Sequence, residues 1–378
     1  MPADCDRRDA DTTTKSIPEL IRDGRWDVVK EYYRAHPEDI KGRIDPANGS
    51  TVLHAVCAIA STPVDVIEMV ADVWPEALMV QENRYGATPL HLLCLTVQKY
   101  SRRVEALLDR YPKPEDLLVR NKVLGSTVLH SACGSHADLA VIKAIVRKHP
   151  PVLLAESDNQ HTVFHALWQS HLQSIPAHMH IARILRGQEA DVHDKLFSKF
   201  LDKMSFLAIE TFRLSPLCPD PEETGEDTDS GYMLHGLLDL RAPLDAILLA
   251  LKLRPESASV ADRGGNYPLH RAVARRPFRI KHTALLREMR LAHPEATVRR
   301  NGDGEAPIHT AIRERVAWDD GLGELLATES CDTQLGLPDP ETGLYPFLLC
   351  ASLGGGAAVN NVFCMLVAKP DLVRSATE

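Results

Sequence analysis

The sequence predicts an all-α fold, a solenoid of stacked helix–turn–helix repeats with projecting loops. A Thr-x-apolar-His block recurs along the chain, and an apolar stripe at helical spacing follows each block after about fourteen residues. A proline ends the stripe nearly every time. Self-similarity at a fixed period indicates a repeat protein, in which each unit buries its apolar faces only against its neighbours.

The repeated block has four strong copies and four weaker ones. They read TVLHAVC, TPLHLLC, TVLHSAC and TVFHALW, then YMLHGLL, YPLHRAV, APIHTAI and YPFLLCA. Their histidines are His54, His91, His130, His165, His235, His270 and His309, and Leu348 takes this position in the last copy. The steps are 35 to 39 residues, except for one step of 70. That double step predicts a degenerate repeat between residues 169 and 231.

Each block is expected to begin a helix. The side-chain oxygens of the threonines can accept an unpaired backbone N–H of the first turn. These N-caps are Thr51, Thr88, Thr127 and Thr162. Tyrosine or alanine replaces the threonine in the later copies, so we expect weaker caps there. Loops with Asn or Asp before a glycine, as in NRYGATPLH and DRGGNYPLH, are expected to reverse the chain before the next unit.

These blocks and loops resemble the ankyrin repeat, whose signature is Thr-Pro-Leu-His preceded by Asp-x-x-Gly. The match is full at residues 88–91, with Asn83 and Gly86 upstream, and good at 267–270. The period exceeds the 33 residues of that family, and Pro-Glu-Ala replaces its Gly-Ala-Asp ending, so the loops are expected to differ. The resemblance implies a protein-binding array in which the motif histidine bonds to backbone and ties neighbouring units together.

The repeat register divides the chain into five expected segments. They are a disordered tail (1–16), an N-terminal capping helix pair (17–50), a first ankyrin-like half-array (51–186), a degenerate repeat with an acidic loop (187–231) and a second ankyrin-like half-array (232–378). The degenerate repeat contains four of the eight phenylalanines, and its apolar residues follow a helical stripe: Phe197, Phe200/Leu201, Met204 and Leu207/Ala208. That stripe either packs inside the array or forms an exposed apolar patch for a partner.

Composition narrows the function classes. A net charge of −9 argues against a general nucleic-acid binder. Eight scattered cysteines without a CxxC pair, and a polar N-terminus without a secretory signal, favour the cytoplasm or the nucleus.

Residues 344–368 carry no charge, but Gly354–Gly356 and two adjacent asparagines favour helix–loop–helix over a membrane span. We therefore expect no membrane insertion.

Two groups of residues could suggest metal chemistry. His54, His91 and His130 each precede a cysteine by three residues, and histidines cluster between 161 and 193. Apolar residues take the cysteine position in other copies, so the pairs are interpreted as packing, and the cluster lacks ligand spacing. No enzymatic signature occurs in the sequence. We expect no metal, no cofactor and no catalytic residues.

The candidate partner-binding residues lie on loop tips and on a basic segment. The loop-tip candidates are Asn83, Arg84, Tyr85, Lys122, Gln160, Arg263, Asn266 and Asp303. Residues 271–300 hold nine Lys or Arg against two Glu. This segment is either a solvated face or a dock for an acidic or phosphorylated partner. The dock candidates are Arg275, Arg276, Arg279, Arg299 and Arg300.

The leading functional hypothesis is a protein–protein interaction scaffold or adaptor, monomeric, that binds a protein partner through loop tips and the concave face. The alternative is a regulatory ankyrin segment of a larger assembly, such as a ubiquitin-ligase adaptor or a channel. An enzyme is the least favoured class, since a solenoid offers few deep closed pockets.

Overall fold

The structure, a computed structural model, describes residues 15–96, 102–173, 175–188, 194–219, 231–275, 280–327 and 330–371. The chain divides into two compact units, Met1–Gln173 and Ser174–Glu378. The expected disordered tail lies outside the described residues except for Lys15 and Ser16, and so does the acidic loop except for its two end residues.

Unit 1 is a stack of short antiparallel helix pairs. Its helices are α1 (Ile17–Arg22), α2 (Trp26–Ala35), α3 (Val52–Cys57), α4 (Val64–Val73), α5 (Pro89–Thr96), α6 (Arg102–Arg110), α7 (Val128–Gly134), α8 (Leu139–Lys148) and α9 (Val163–Leu172). A ribbon of β1 (Arg43–Asp45) and β2 (Ser50–Thr51) precedes α3. The first helices of successive pairs pack in one row, and the second helices pack in another. We call these the inner and outer helices.

Aliphatic side chains at helical spacing explain the two rows. In α4, Val66, Ile67 and Val70 are buried, and in α8 the corresponding Val141, Ile142 and Ile145 are buried. Each outer helix therefore covers its own inner helix on one side and the next outer helix on another. Neither helix could bury this area alone, which is the basis of the predicted repeat.

The prolines after the outer helices do more than end them. The preceding residue takes a non-helical conformation, as at Trp74 (φ −137°) and His149 (φ −152°), because proline disfavours helical geometry in the residue before it. The proline then begins a short 3₁₀ turn, such as Pro75–Met79 or Pro150–Leu154. Each turn adds buried residues to the core, which accounts for part of the extra length of these repeats.

Unit 2 contains the later copies. Its helices are α10 (Ile175–Leu185), α11 (Lys195–Arg213), α12 (Met233–Asp239), α13 (Leu244–Leu253), α14 (Pro268–Val273), α15 (Ile280–Ala292), α16 (Pro307–Arg313), α17 (Gly323–Leu326), α18 (Cys331–Leu335), α19 (Pro346–Leu353) and α20 (Gly356–Ala368). A π-helical turn, Trp318–Leu322, precedes α17. Inner helices α12, α14, α16 and α19 pack in one row. The fold is all-α and ankyrin-like, as the sequence predicts.

Within the described residues, the degenerate repeat forms one long helix rather than a pair. Helix α11 has 19 residues and packs along α12 in the inner row, while the outer helix α13 packs against α10. Gly236 of α12 allows the close approach, since a Cβ there would lie 1.8 Å from the carbonyl oxygen of Ala208. Phe197, Phe200 and Phe212 are buried. The alternative of an exposed phenylalanine patch is therefore wrong.

The uncharged C-terminal stretch is a helix–loop–helix, as expected. Helices α19 and α20 are joined by Gly354 and Gly355, both with positive φ. Asn361 is buried, and its amide nitrogen donates to the carbonyl oxygen of Val316 (2.9 Å) inside the unit. Among the described residues, none of the helices combines the length and the apolar character needed to cross a bilayer.

Candidate protein-binding surface

The motif histidines join each inner helix to the loop of the next repeat. The Nε2 atom of His54 lies 3.1 Å from the carbonyl oxygen of Ala87, and that of His91 lies 3.1 Å from the oxygen of Ser126. The same link joins His130 to His161, His235 to Val260, His270 to Glu305 and His309 to Leu337, at 2.9 to 3.2 Å. The histidine role that the family resemblance implies is confirmed for these six residues.

The geometry also assigns the tautomer of these rings. A carbonyl oxygen can only accept, so Nε2 must carry the proton and Nδ1 must accept. Nδ1 of His91 faces the hydroxyl of Thr88 at 2.8 Å and the backbone N–H of Thr88 at 3.3 Å. A second proton on Nδ1 would point at these donors, and Nδ1 could then no longer accept their hydrogen bonds. Burial accordingly lowers the pKa of His91 to about 4, and it does the same for His235 and His270.

The threonine caps differ between the two units as expected. The threonine hydroxyls contact the Nδ1 atoms of His54, His91, His130 and His165 at 2.8 to 3.0 Å. In unit 2 the backbone N–H groups of Tyr267 and Ala306 still donate to the following histidine. These two caps lack the threonine hydroxyl beside Nδ1, so fewer hydrogen bonds hold the histidine rings there.

The projecting loops are joined to one another through backbone hydrogen bonds. Lys122 N–H donates to Tyr85 (2.7 Å), and Asp158 N–H donates to Leu124 (3.0 Å). Gly86 and Gly125 adopt positive φ at these turns, a conformation that favours glycine. A Cβ on Gly125 would lie 2.0 Å from a carboxylate oxygen of Asp158. The loops of unit 1 are therefore a fixed row rather than independent segments.

Exposed apolar side chains lie on two of these loops. Tyr85 is 45% exposed, Val123 is 56% exposed and Leu124 is 51% exposed. The guanidinium of Arg84 lies 4.9 Å from the centre of the Tyr85 ring. We call Tyr85, Lys122, Val123 and Leu124 the loop-tip strip. The sequence predicted Tyr85 and Lys122, but it missed Val123 and Leu124, whose apolar character at a loop apex was the available signal.

The other loop-tip candidates have different environments. Gln160 is exposed, with φ +58°, and Arg263 and Asp303 are exposed on loops of unit 2. Asn266 is partly buried, because its amide donates to Asp262 (3.1 Å) and its oxygen accepts from Asn301 (2.8 Å). These bonds join two successive loops. Asn266 is thus a structural residue of the loops in this structure.

Among the dock arginines that the structure describes, Arg275 lies apart from Arg299 and Arg300. Arg276 and Arg279 lie outside the described residues. Arg275 follows the C-terminal end of α14 and donates to the carbonyl oxygen of Ala242 (2.5 Å). Arg299 and Arg300 precede the next loop, where Arg299 pairs with Glu295 (3.0 Å) and Arg300 donates to backbone carbonyls. They belong to the loop side, whereas Arg275 lies at the opposite end of an inner helix.

The cysteines of the motif pack as small apolar groups. Cys57, Cys94 and Cys133 are buried, and burial raises the pKa of Cys94 to about 12. Their backbone carbonyls accept hydrogen bonds from hydroxyls of the next repeat. The donors are Thr96 (3.1 Å), Ser135 (2.7 Å) and Ser170 (3.1 Å). In the described part of the chain, His, Cys, Asp and Glu side chains form no group of three that could hold a metal ion.

These observations define the repeat: two antiparallel helices, a loop turned by a glycine with positive φ, and a histidine bond to the following loop. The repeats are ankyrin-like. No protein-family model matches the chain. No curated protein matches it either.

Solved structures of ankyrin repeat proteins are similar to this chain, including the following two. One is the ankyrin repeat domain of Bcl-3, described as a unique member of the IkappaB protein family. It is 15% identical over 70% of this chain and 95% of its own, with a TM-score of 0.32. The other is an ankyrin repeat protein from Leishmania major. It is 14% identical over 85% of this chain and 97% of its own, with a TM-score of 0.35.

Proposed function

We propose that this chain is a protein–protein interaction module, a scaffold or adaptor that binds a protein partner through its loop tips and inner helices. The observation that carries the proposal is the loop-tip strip in unit 1. It exposes three large apolar side chains on two neighbouring loops, and the loop–loop hydrogen bonds and the His91 link hold that backbone in place.

Rigid exposed apolar groups suit binding for a thermodynamic reason. An apolar side chain gains about 25 cal/mol for each Å² that a partner removes from water. A loop that is already ordered loses little conformational entropy on association, so more of that gain appears as affinity. Lys122 within the strip and Arg84 beside it add positive charge. We therefore expect a partner surface with an apolar centre and acidic groups at its rim.

The test is affinity capture of partners by the complete chain from native lysate, with mass spectrometry. We expect the variant Val123→Ser/Leu124→Ser to lose the partners that the original chain captures. Leu154→Ser is the matched control, because Leu154 is 57% exposed but lies in the 3₁₀ turn after α8. An identical set of partners for the original chain and the double variant would overturn the proposal.

We further propose that the protein acts in a reducing compartment, the cytoplasm or the nucleus. The support is the packing of Cys57, Cys94 and Cys133 as buried thiols in the inner row. Reducing compartments preserve such thiols. Fluorescence microscopy of the tagged protein tests the location, and a secretory or surface location would contradict it.

A further inference from the structure

The outer helices of successive repeats are joined by ion pairs from two fixed positions. Counted back from the proline that follows each outer helix, these positions are the seventh and the third residue. The ion pairs are Lys30–Asp65, Asp72–Arg110, Lys252–Glu288 and Arg287–Glu324. In each pair the second residue belongs to the outer helix of the following repeat. The two positions therefore face the next outer helix of the row.

Helix α20 is apolar at both of these positions. The proline that follows it is Pro370, so the seventh and third residues before the proline are Phe363 and Val367. Each of the other six outer helices that a proline follows has a charged residue in at least one of the two positions. None of the thirteen residues of α20 is charged. An apolar surface thus takes the place of the ion pair in this helix.

This apolar surface is exposed to solvent. Phe363 is 65% exposed, Val367 is 62% exposed, and Val359, one turn earlier, is 76% exposed. Side chains four residues apart lie on the same face of a helix, and we call these three residues the α20 stripe. The opposite face, which includes Met365, is buried where α20 packs against α19 and the π-helical turn. Exposed apolar groups that adjoin one another in this way mark an interaction surface.

The last copy of the motif lacks the hydrogen bond that joins other repeats. Leu348 takes the place of the motif histidine there, and it is only partly buried. In six earlier copies the histidine bonds to the loop of the next repeat, whereas a leucine side chain has no hydrogen-bonding atom. The α20 stripe is therefore a contact surface without the bond that a further repeat would make. A different occupant fits it better.

A second copy of this chain is such an occupant. Two identical positions that meet in a symmetric dimer would bring like charges together, which is repulsive. The uncharged helix α20 avoids this repulsion. The stripe is also symmetric, since Val359 and Val367 lie four residues to either side of Phe363. In an antiparallel pair of α20 helices, Phe363 faces its counterpart in the other copy, and Val359 of each copy faces Val367 of the other.

We propose that two copies of the protein associate through the α20 stripe, with their α20 helices antiparallel across a two-fold axis. The pairing continues the outer row of one copy into that of the other. It is a function beyond the proposed partner binding, and it differs from the monomer expected from the sequence. The stripe is smaller than the about 800 Å² per partner of a standard stable interface, so we expect a dissociation constant of about 1–100 µM.

The test is sedimentation equilibrium of the full chain at concentrations below, within and above this range. Phe363→Glu should weaken the dimer at least about a hundredfold, because two like charges would meet at the axis. Phe363→Lys should weaken it as much for the same reason. A mixture of these two variants should recover a heterodimer at least about tenfold tighter than either variant forms alone, because unlike charges then meet. A merely structural role of Phe363 predicts no such recovery.

Leu291→Glu is the matched control. Leu291 is 59% exposed and lies three residues before Pro294, so it has the position of Val367 in another outer helix of the same unit. We expect this variant to dimerise like the original chain. Circular dichroism of each variant verifies folding, and glutamate is compatible with the Phe363 position, since Glu68 and Glu105 occupy it in α4 and α6.

Several results would overturn the inference. They are a monomeric original chain at every concentration, an equally tight dimer of Phe363→Glu, no heterodimer in the mixture, or a loss with Leu291→Glu as large as with Phe363→Glu. Binding of the monomeric original chain, but not of Phe363→Glu, to phosphatidylcholine vesicles would assign the stripe to a lipid surface instead. The loop-tip capture experiment probes other residues, so the two proposals fail separately.

Discussion

Acid should unfold this protein through its motif histidines. His91, His235 and His270 have a pKa of about 4 in the folded chain against an ordinary value of 6.5. Between pH 4 and pH 6.5 these histidines are protonated in the unfolded chain but neutral in the folded chain. The free energy of unfolding is therefore highest above pH 6.5 and falls as the pH falls toward 4. Lowering the pH from 7.5 to 5.5 should reduce the free energy of unfolding by about 1.4 kcal/mol for each histidine, or by about 4 kcal/mol for the three together. His235 and His270 both lie in unit 2, so about 3 kcal/mol of this acts on one unit, against the 5–15 kcal/mol typical of a domain.

The measurement is urea unfolding at pH 7.5 and 5.5, followed by far-ultraviolet circular dichroism. His91→Gln removes one titrating ring, so we expect its stability difference between the two pH values to shrink by about 1.4 kcal/mol. His178→Gln is the control, since His178 is exposed to water, and its difference should match the original chain. Equal pH dependence of the original chain and His91→Gln would refute the link between burial, tautomer and stability.

Two further substitutions test the repeat contacts. Gly125→Ala should destabilise unit 1 by at least about 2 kcal/mol, because φ is +61° and the new Cβ would meet Asp158. The control Gly134→Ala has open space in helix α7 and should be neutral or stabilising by up to about 1 kcal/mol in thermal unfolding. Ser135→Ala should cost about 1 kcal/mol in urea unfolding, through its bond to Cys94. A neutral Ser135→Ala would show that water replaces this bond.

The repeat framework was predictable because its signals are local. A threonine three residues before a histidine predicts a helix start wherever it occurs, and the period follows from counting. The role of His91 as a tie to the next loop needed the family resemblance as well. The 3₁₀ turns after proline were not predicted, because a proline at the end of a helix is equally compatible with a simple loop.

The features that were missed depend on long-range packing. The long helix α11 lies directly against α12 because Gly236 leaves room for its backbone, and no pattern within α11 reveals this neighbour. The dispersal of the basic segment has a similar cause. A run of arginines in sequence spans an inner helix, an outer helix and a loop, so Arg275 and Arg299 belong to different sides of the repeat.

The position after the motif histidine shows how one position of the repeat can have different environments. In α12 it holds Gly236, where the close packing of α11 leaves no room for a Cβ. In α7 and α16 it holds Ser131 and Thr310, which are partly exposed. In α14 it holds Arg271, which pairs with Asp239 of the preceding repeat. Substitutions at this position should therefore change stability most where a neighbouring helix covers it.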